Sequence, residues 1–212
     1  MSLARTALIV FARAPRLGAV KTRLAVGLGA SRAVDIYAAL LGHALRLAAQ
    51  WPGPRYLACA DLPSQIYFQQ LPAAAPFNVV LQQTGDLGRR MRVALADALA
   101  CHASALLMGS DVVDNQLADL RHAGAHLQGA CDVVLGPVAD GGYWLIGMNR
   151  DQPTLFESLP WGTAQVSART LQRCATRGLV VRELPLRHDI DEPADAQQHA
   201  ALLAILPRLP LA

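Results

Sequence analysis

The stretch Thr6-Ala7-Leu8-Ile9-Val10-Phe11-Ala12-Arg13-Ala14-Pro15-Arg16-Leu17-Gly18-Ala19-Val20-Lys21-Thr22-Arg23 joins an apolar run to a basic segment. The run from Leu8 to Phe11 is typical of a buried strand. Pro15 and Gly18 then interrupt the pattern, because the first restricts the backbone and the second frees it. The sequence therefore predicts a first strand followed directly by a loop from Ala12 to Arg23.

Short apolar runs of the same kind recur along the chain and alternate with stretches of helical spacing. Further strands are predicted at residues 56–59, 79–81, 105–108, 133–135, 144–146 and 179–181. Helices are predicted from Ser31 as an N-cap onwards, and near residues 87–100, 115–127, 164–177 and 194–206. Such alternation indicates an α/β fold, a three-layer sandwich whose mostly parallel mixed sheet is covered on both faces. We expect ligands beyond the carboxyl ends of the strands.

The alternation breaks once, between the runs at 133–135 and 144–146. The eight residues 136–143 that separate these runs are too few for a crossover helix. We therefore expect this insert to fold over the sheet edge rather than to extend the sheet.

The bulk composition indicates one compact domain spanning residues 1–212, with a cytoplasmic location as the default. The chain has 53% hydrophobic and 17% charged residues, which argues against disorder. A net charge of +3 without a basic tract does not indicate nucleic-acid binding. The four cysteines lack metal-ligand or redox spacing, and no run suits a signal peptide or a membrane span. The apolar segment 202–211 fits either a cap on the core or a partner contact, so the oligomeric state stays open.

The loop after the first strand is the strongest candidate for a phosphate site, because cationic side chains form charge-assisted hydrogen bonds with phosphate oxygens. The candidate cations are Arg13, Arg16, Lys21 and Arg23. Ala12 and Gly18 are candidate backbone contacts in the same loop. Lys21-Thr22 resembles the end of a Walker A motif, but Val20 stands where that motif has glycine, which argues against a P-loop NTPase. An ordinary solvated basic loop is the alternative.

The loop after the third predicted strand contains two glycines that would let the backbone approach a flat ligand. The candidate contacts to a nucleobase or ribose are Gln83, Gly85, Leu87 and Gly88. A plain glycine turn with Asp86 as the helix cap is the alternative.

Carboxylates follow two of the predicted strands. Asp111 comes after the fourth strand, where Mg²⁺ on bound phosphates would need a hard oxygen ligand. Asp114 competes for the helix-capping role there, which leaves Asp111 available for metal. Asp189 and Asp191 project on the same side of an extended segment, and one of them could complete the metal site. The alternative is an acidic first turn of the closing helix, with Pro193 at its start.

The insert Asp140-Gly141-Gly142-Tyr143, followed by Trp144, has the composition of a site for a hydroxylated substrate. Its rings can stack on a ligand, while its carboxylate and backbone can form hydrogen bonds. Trp161 is a candidate to close the same pocket, and Thr163 fits an N-cap beside it. The alternative is a tight hairpin whose aromatic side chains pack on the core.

Together these loops resemble a family of small bacterial proteins with the GT-A fold of the nucleotide-diphospho-sugar transferase superfamily, often labelled glycosyltransferases of arsenosugar biosynthesis. The matching stretches run in order: residues 11–15 with Gly18, 20–24, 86–88 with 90–91, 109–111, 136–137 with 140–143, Trp161 and 189–191. The resemblance implies a nucleotide held by the first loop and by residues 83–88, and a second substrate near residues 140–143. It also implies Mg²⁺ or Mn²⁺ on Asp111. The last acidic loop resembles that of sugar-nucleotide synthetases, which implies that Asp191, the acid two places before a proline, binds the metal too.

One position departs from the family pattern, because Val112-Val113 follow Asp111 where a small or sulfur residue and then proline are usual. The leading hypothesis is transfer of a sugar from a nucleotide-diphospho-sugar to a small-molecule acceptor, with Lys21, Asp111 and Asp140 as catalytic residues. A nucleotidyltransferase that joins an NTP to a phosphorylated acceptor is the close rival, since no Asp-x-Asp stands directly after the fourth strand. A nucleotide-binding protein with weak or no catalysis is the third hypothesis, and Val112-Val113 motivate it.

Overall fold

The computed structural model describes residues 3–212, which contain seven strands in a single sheet. The strands are β1 (Thr6–Ala12), β2 (Arg55–Cys59), β3 (Asn78–Leu81), β4 (Ser104–Met108), β5 (Val133–Pro137), β6 (Tyr143–Met148) and β7 (Val181–Glu183). Their order across the sheet is β3-β2-β1-β4-β6-β5-β7. Only β6 runs antiparallel to its neighbours β4 and β5; the other pairs of the described sheet are parallel. The mostly parallel mixed sheet confirms the predicted fold class.

The same residues form eight α-helices, which cover both faces of the sheet. They are α1 (Thr22–Leu28), α2 (Ala30–Ala49), α3 (Leu62–Gln70), α4 (Leu87–Cys101), α5 (Leu117–Leu127), α6 (Val166–Thr176), α7 (Pro193–Gln198) and α8 (Ala200–Ile205). Because side chains alternate along a strand, Leu8 and Val10 pack towards α2 and α5, whereas Ala7 and Ile9 pack towards α4 and α6. The two cores confirm the three-layer sandwich.

Two element boundaries differ from the predictions for local reasons. The last strand begins at Val181 rather than at Leu179, because Val180 is held by Asp132: its N–H donates to the Asp132 carboxylate at 2.9 Å and its carbonyl accepts the Asp132 N–H at 2.8 Å. The prediction of Ser31 as an N-cap is wrong, since α2 already begins at Ala30 and its N-cap is Gly29, with φ of 81°.

Other helix boundaries also differ from the predictions. Thr163 is not the N-cap of α6; its hydroxyl donates to the Pro160 carbonyl at 2.8 Å, and Gln165 takes the cap position. The final predicted helix divides into α7 and α8 at His199. Sequence periodicity does not predict α3, whose apolar residues form no clear stripe, although Asp61 caps it by accepting the Ser64 N–H at 2.8 Å.

The insert 136–143 joins two neighbouring strands of the sheet. Because β6 lies between β4 and β5, and β5 pairs on its other side with β7, this connection is a hairpin within the sheet. The expectation that it folds over the sheet edge is therefore wrong. An antiparallel return needs only a short connection, so the five residues 138–142 between β5 and β6 suffice.

Part of the apolar C-terminal segment packs against the core through Leu203, Leu206 and Leu209, whereas Leu202, Ile205 and Leu211 are exposed. The Leu209 N–H donates to the Ala38 carbonyl of α2 at 3.3 Å, and the Tyr67 hydroxyl donates to the Pro210 carbonyl at 2.5 Å. Within residues 3–212, no helix combines the length and apolar character needed to cross a membrane.

Candidate functional site

A cavity of about 460 Å³ opens where the parallel strands β1 to β4 end. Because neighbouring parallel strands end at the same edge of a sheet, the segments that follow them meet there. The lining residues combine cations, acids and a few apolar side chains: Phe11, Ala12, Arg13, Ala19, Val20, Lys21, Thr22, Arg23, Tyr37, Ala60, Gln82, Leu87, Arg90, Ser110, Asp111 and Asp191. We call this space the first cavity. It unites most of the predicted loop with Asp111 and Asp191.

Lys21 lies at the centre of the acidic end of this cavity. Its Nζ is 3.1 Å from Asp111 Oδ1 and 2.5 Å from Asp191 Oδ1, and only 6% of the side chain is exposed. Burial alone lowers the pKa of Lys21, but the two carboxylates outweigh it and raise the pKa above its ordinary value. Lys21 is therefore a permanent positive charge between two acids that lie 80 residues apart in sequence.

Asp191 is held from two sides. Lys21 contacts one of its oxygens, and Arg23 Nη2 donates to the other at 2.5 Å. Burial raises the pKa of Asp191, whereas Lys21 and Arg23 lower it, and the net shift is downward. Asp191 is consequently an ionised acid at neutral pH.

The backbone beside Asp111 is fixed by the segment that leads to Asp191. Ile190 N–H donates to the Asp111 carbonyl at 3.1 Å, and Val112 bridges to Asp189 in antiparallel fashion. Val112 and Val113 are 3% and 2% exposed. The two valines that replace the family's usual residues therefore anchor the Asp111 loop through pairing and burial.

The predicted competition from Asp114 for helix capping is wrong. Its carboxylate accepts hydrogen bonds from the His188 backbone and ring, each at 2.9 Å, while Gln116 is the N-cap of α5. Asp114 therefore stabilises the loop that carries His188 and Asp191. Asp111 lines the cavity, with 46% of its side chain exposed.

The cations earlier in the basic loop are organised by Asp61, a residue that the sequence patterns do not indicate as functional. Asp61 Oδ2 is 2.7 Å from Arg16 Nη2 and 3.6 Å from Arg13 Nε. Arg13 lines the first cavity, whereas Arg16 does not. The buried Tyr37 hydroxyl also binds the Arg13 backbone, at 3.1 Å to both N and O, so the loop is rigidly positioned from its two sides.

The other end of the first cavity is built by Gln82 and Arg90. The Gln82 amide nitrogen donates to the Ala58 carbonyl at 2.8 Å, and its oxygen accepts from Arg90 Nη1 at 3.1 Å. Gln83, the predicted contact, does not line the first cavity; it lines a separate cavity of about 140 Å³ beside α4, to which Gln82 also contributes. Its hydrogen bonds to Ala58 and Arg90 hold Gln82, rather than Gln83, in the first cavity.

The predicted glycines serve the protein's own packing. A Cβ on Gly88 would lie 2.7 Å from the Trp161 ring nitrogen, and one on Gly85 would lie 2.6 Å from the Arg89 side chain. Gly18, with φ of 73°, turns the basic loop. None of the three lines the first cavity, whereas the neighbouring Leu87 does.

A second cavity, also of about 460 Å³, adjoins the first and shares Arg23 and Asp191 with it. Its lining is rich in acids and histidines: Ala139, Asp140, His188, Asp189, Glu192, Asp195, Gln198 and His199. Burial, followed by the charges of Asp140 and Asp191, raises the pKa of Asp189 to about 6. The predicted substrate residue Asp140 and the predicted metal ligand Asp189 therefore lie together in this second space.

The remaining predicted substrate residues line neither of these two cavities. Asp140 Oδ1 accepts the Gly142 N–H at 2.8 Å, and Gly141 packs so closely on the Ala164 backbone that a Cβ would lie 2.3 Å from its carbonyl oxygen. Tyr143 and Trp161 pack edge to face with ring centroids 6.3 Å apart. This arrangement agrees with the structural alternative of a tight hairpin with aromatic side chains on the core.

The acidic border between the cavities suits a divalent metal. Within residues 3–212, no three His, Cys, Asp or Glu side chains converge around a common point, as they would in a metal site built by protein alone. Mg²⁺ usually takes only one or two carboxylates and completes its shell with water and phosphate. Asp111 and Asp191, which already contact one cation, Nζ of Lys21, supply such a pair.

Solved structures with the same fold include nucleotide-dependent transferases. A candidate nucleotide-diphospho-sugar transferase from Desulfovibrio desulfuricans G20 is 27% identical, with a TM-score of 0.81 over 96% of this chain and 98% of that one. The inositol-1-phosphate CTP transferase from T. maritima is 14% identical, with a TM-score of 0.61 and 96% of each chain covered. Rv0371C of Mycobacterium tuberculosis H37Rv, in complex with manganese, is 18% identical, with a TM-score of 0.57 over 95% of this chain and 100% of that one.

These findings confirm the predicted superfamily and, with it, the class of nucleotide-dependent transferases; the narrower arsenosugar assignment stays a prediction. No curated protein matches the sequence. A family model described as "uncharacterized protein conserved in bacteria", DUF2064, matches residues 43–163, which is more than half of the chain. The protein therefore belongs to the DUF2064 family.

Proposed function

We propose that this protein is a divalent-metal-dependent transferase that moves the sugar of a nucleotide-diphospho-sugar to a small-molecule acceptor. The observation that carries the proposal is the pair of adjoining cavities with Lys21, Asp111 and Asp191 at their border. The nucleotide would occupy the first cavity and the acceptor the second. The bond that breaks would then lie beside Lys21.

Each of these side chains has a chemical role in the proposal. Lys21 and Arg13 would bind phosphate oxygens through charge-assisted hydrogen bonds. Asp111 and Asp191 would hold Mg²⁺ or Mn²⁺, which when bound supplies positive charge to a departing diphosphate. Asp140, exposed in the second cavity, would accept the proton of an acceptor hydroxyl. Asp189 faces the same space and is a further candidate metal ligand.

A nucleotidyltransferase is the second candidate, and one observation favours it. Among the described residues, Asp111 is the only carboxylate directly after β4 that lines the first cavity, whereas many sugar transferases of this fold have an Asp-x-Asp there. In nucleotidyl transfer an acceptor phosphate displaces pyrophosphate from the NTP.

The released product distinguishes these reactions. The protein is incubated with Mg²⁺, a panel of nucleotide sugars and NTPs, and a panel of small-molecule acceptors that carry hydroxyl or phosphate groups, and the release of nucleoside diphosphate and of pyrophosphate is measured. Nucleoside diphosphate supports sugar transfer, pyrophosphate supports the second candidate, and saturable binding without either product supports a nucleotide-binding protein. Asp111→Asn should abolish turnover, whereas Asp151→Asn, an exposed acid outside both cavities, should not.

A further inference from the structure

One cation of the first cavity differs from the others in its partners. Arg13, Lys21 and Arg23 each contact a carboxylate. Arg90 also lines the cavity, but within residues 3–212 no carboxylate lies at salt-bridge distance from it, and its Nη1 donates to the Gln82 amide oxygen. A guanidinium without an acid in a ligand cavity is available to bind acceptor atoms of the ligand.

The orientation of Arg90 is fixed by the main chain through Gln82. Because the Gln82 amide nitrogen donates to the Ala58 carbonyl, its oxygen faces Arg90 Nη1. Arg90 Nε is buried without a partner in the described residues, whereas a guanidinium carries further donors on both terminal nitrogens. Arg90 therefore presents its remaining terminal N–H donors in a fixed orientation at this end of the cavity.

The position of Gln82 and Arg90 in the first cavity fits the base of a nucleotide rather than its phosphates. Gln82 follows β3, which is three strands from β4, and strand spacing places their ends about 14 Å apart. Asp111 follows β4 and contacts Lys21. A nucleoside diphosphate is elongated, with the base at one end, and Phe11 and Leu87 supply apolar surface to the first cavity.

We propose that Arg90, held by Gln82, recognises the base and selects one that offers two adjacent acceptor atoms on one edge. Guanine offers O6 and N7, and cytosine offers O2 and N3. Adenine places its amino group beside N1 and N7, and uracil places an N–H between its two carbonyls, so neither presents such a pair on that edge. This assignment deepens the proposed function and rests on its nucleotide site.

The test is calorimetric titration of the protein with GDP, CDP, UDP and ADP in Mg²⁺. GDP or CDP should bind about tenfold or more tightly than both ADP and UDP, the discrimination expected of a bidentate arginine contact. Arg90→Lys, which keeps the charge but loses the fork, should remove most of this preference. Gln82→Leu, which releases Arg90, should reduce it. Arg92→Lys, an exposed neighbour on α4, is the matched control and should leave it unchanged.

Inorganic pyrophosphate serves as a probe without a base, and thermal unfolding confirms that each variant is folded. Pyrophosphate should bind the wild type and Arg90→Lys equally. If nucleotides bind but ADP or UDP binds as tightly as GDP and CDP, or the preference survives in folded Arg90→Lys, the assignment of Arg90 is overturned and the nucleotide site stands. If neither pyrophosphate nor any nucleotide binds the wild type, the proposed function fails together with this assignment.

Discussion

The backbone N–H of Val113 donates to the carbonyl oxygen of His188 at 3.1 Å. This hydrogen bond joins the loop after β4 to the loop that carries Asp191, and the neighbouring bond from Ile190 to the Asp111 carbonyl completes the pairing. A proline at position 113 could not donate this bond. The protein therefore positions Asp111 by backbone pairing between these two loops. A proline at position 113 would instead restrict the backbone directly.

Val113→Pro should consequently destabilise the protein. Compared with Val113→Ala, which also loses buried methyl groups but keeps the donor, we expect a free energy of unfolding lower by about 1–3 kcal/mol, the cost of an unsatisfied buried group. Urea denaturation of the two variants measures the difference. Equal stability would show that the pairing contributes nothing to this loop.

Lys21→Met should lower stability because it leaves two carboxylates facing each other without their shared cation. The Lys21 side chain is almost fully buried, and we expect a loss of about 1–3 kcal/mol in the free energy of unfolding, reduced by the exposure of Asp111. Adding Asp191→Asn to Lys21→Met should recover part of this loss, since it removes the like-charge repulsion. A double variant less stable than Lys21→Met would argue against the repulsion.

The stability contributed by Asp61 should depend on pH. Burial raises its pKa, but hydrogen bonds from Ser64 and the charges of Arg16 and Arg13 outweigh this and lower the pKa below 3.8. A group whose pKa is lower in the folded state stabilises it above the unfolded pKa, and this stabilisation is lost as the pH falls. The unfolding free energy of the wild type should therefore fall more steeply below about pH 4 than that of Asp61→Asn. Urea titrations between about pH 3 and pH 7 test this, and parallel curves would contradict it.

Gly88→Ala should act on packing, because the new Cβ would collide with the Trp161 ring and the Phe156 carbonyl. We expect a loss of about 1–3 kcal/mol in stability. Gly129→Ala is the control, since its Cβ would come no closer than 3.5 Å to another described residue. The predicted role of Gly88 as a ligand contact would be supported instead if nucleotide affinity fell while stability stayed unchanged.

Local sequence patterns predict most of the sheet and the position of the basic loop after β1. The apolar runs mark the central strands β1, β4, β5 and β6 because most of their residues are buried, and the order of strand and loop brings Lys21 and Asp111 to one edge. Pairing between distant segments is harder to foresee. The hairpin position of β6 depends on its contacts with β4, which no local pattern contains.

The residues that sequence reasoning misses act through distant partners. Arg90 is the fourth residue of α4. Its place in the candidate site depends on its hydrogen bond to Gln82 and on the shape of the cavity, which no local pattern contains. The sequence does indicate a helix start at Asp61, because the stretch Asp61-Leu62-Pro63-Ser64 has an acid that can cap a helix and a proline in its first turn. The ion pairs of Asp61 with Arg13 and Arg16 nevertheless depend on the neighbouring position of β1 and β2.

The most direct measurement of the central claim is the affinity of the wild type and of Lys21→Met for nucleoside diphosphates in the presence of Mg²⁺. Arg16→Met, in the same loop but outside the first cavity, is the control. If the loop from Ala12 to Arg23 holds the diphosphate, Lys21→Met should bind about tenfold or more weakly, the loss expected for one charged hydrogen bond, and Arg16→Met should retain its affinity. An unchanged affinity in folded Lys21→Met would contradict the account.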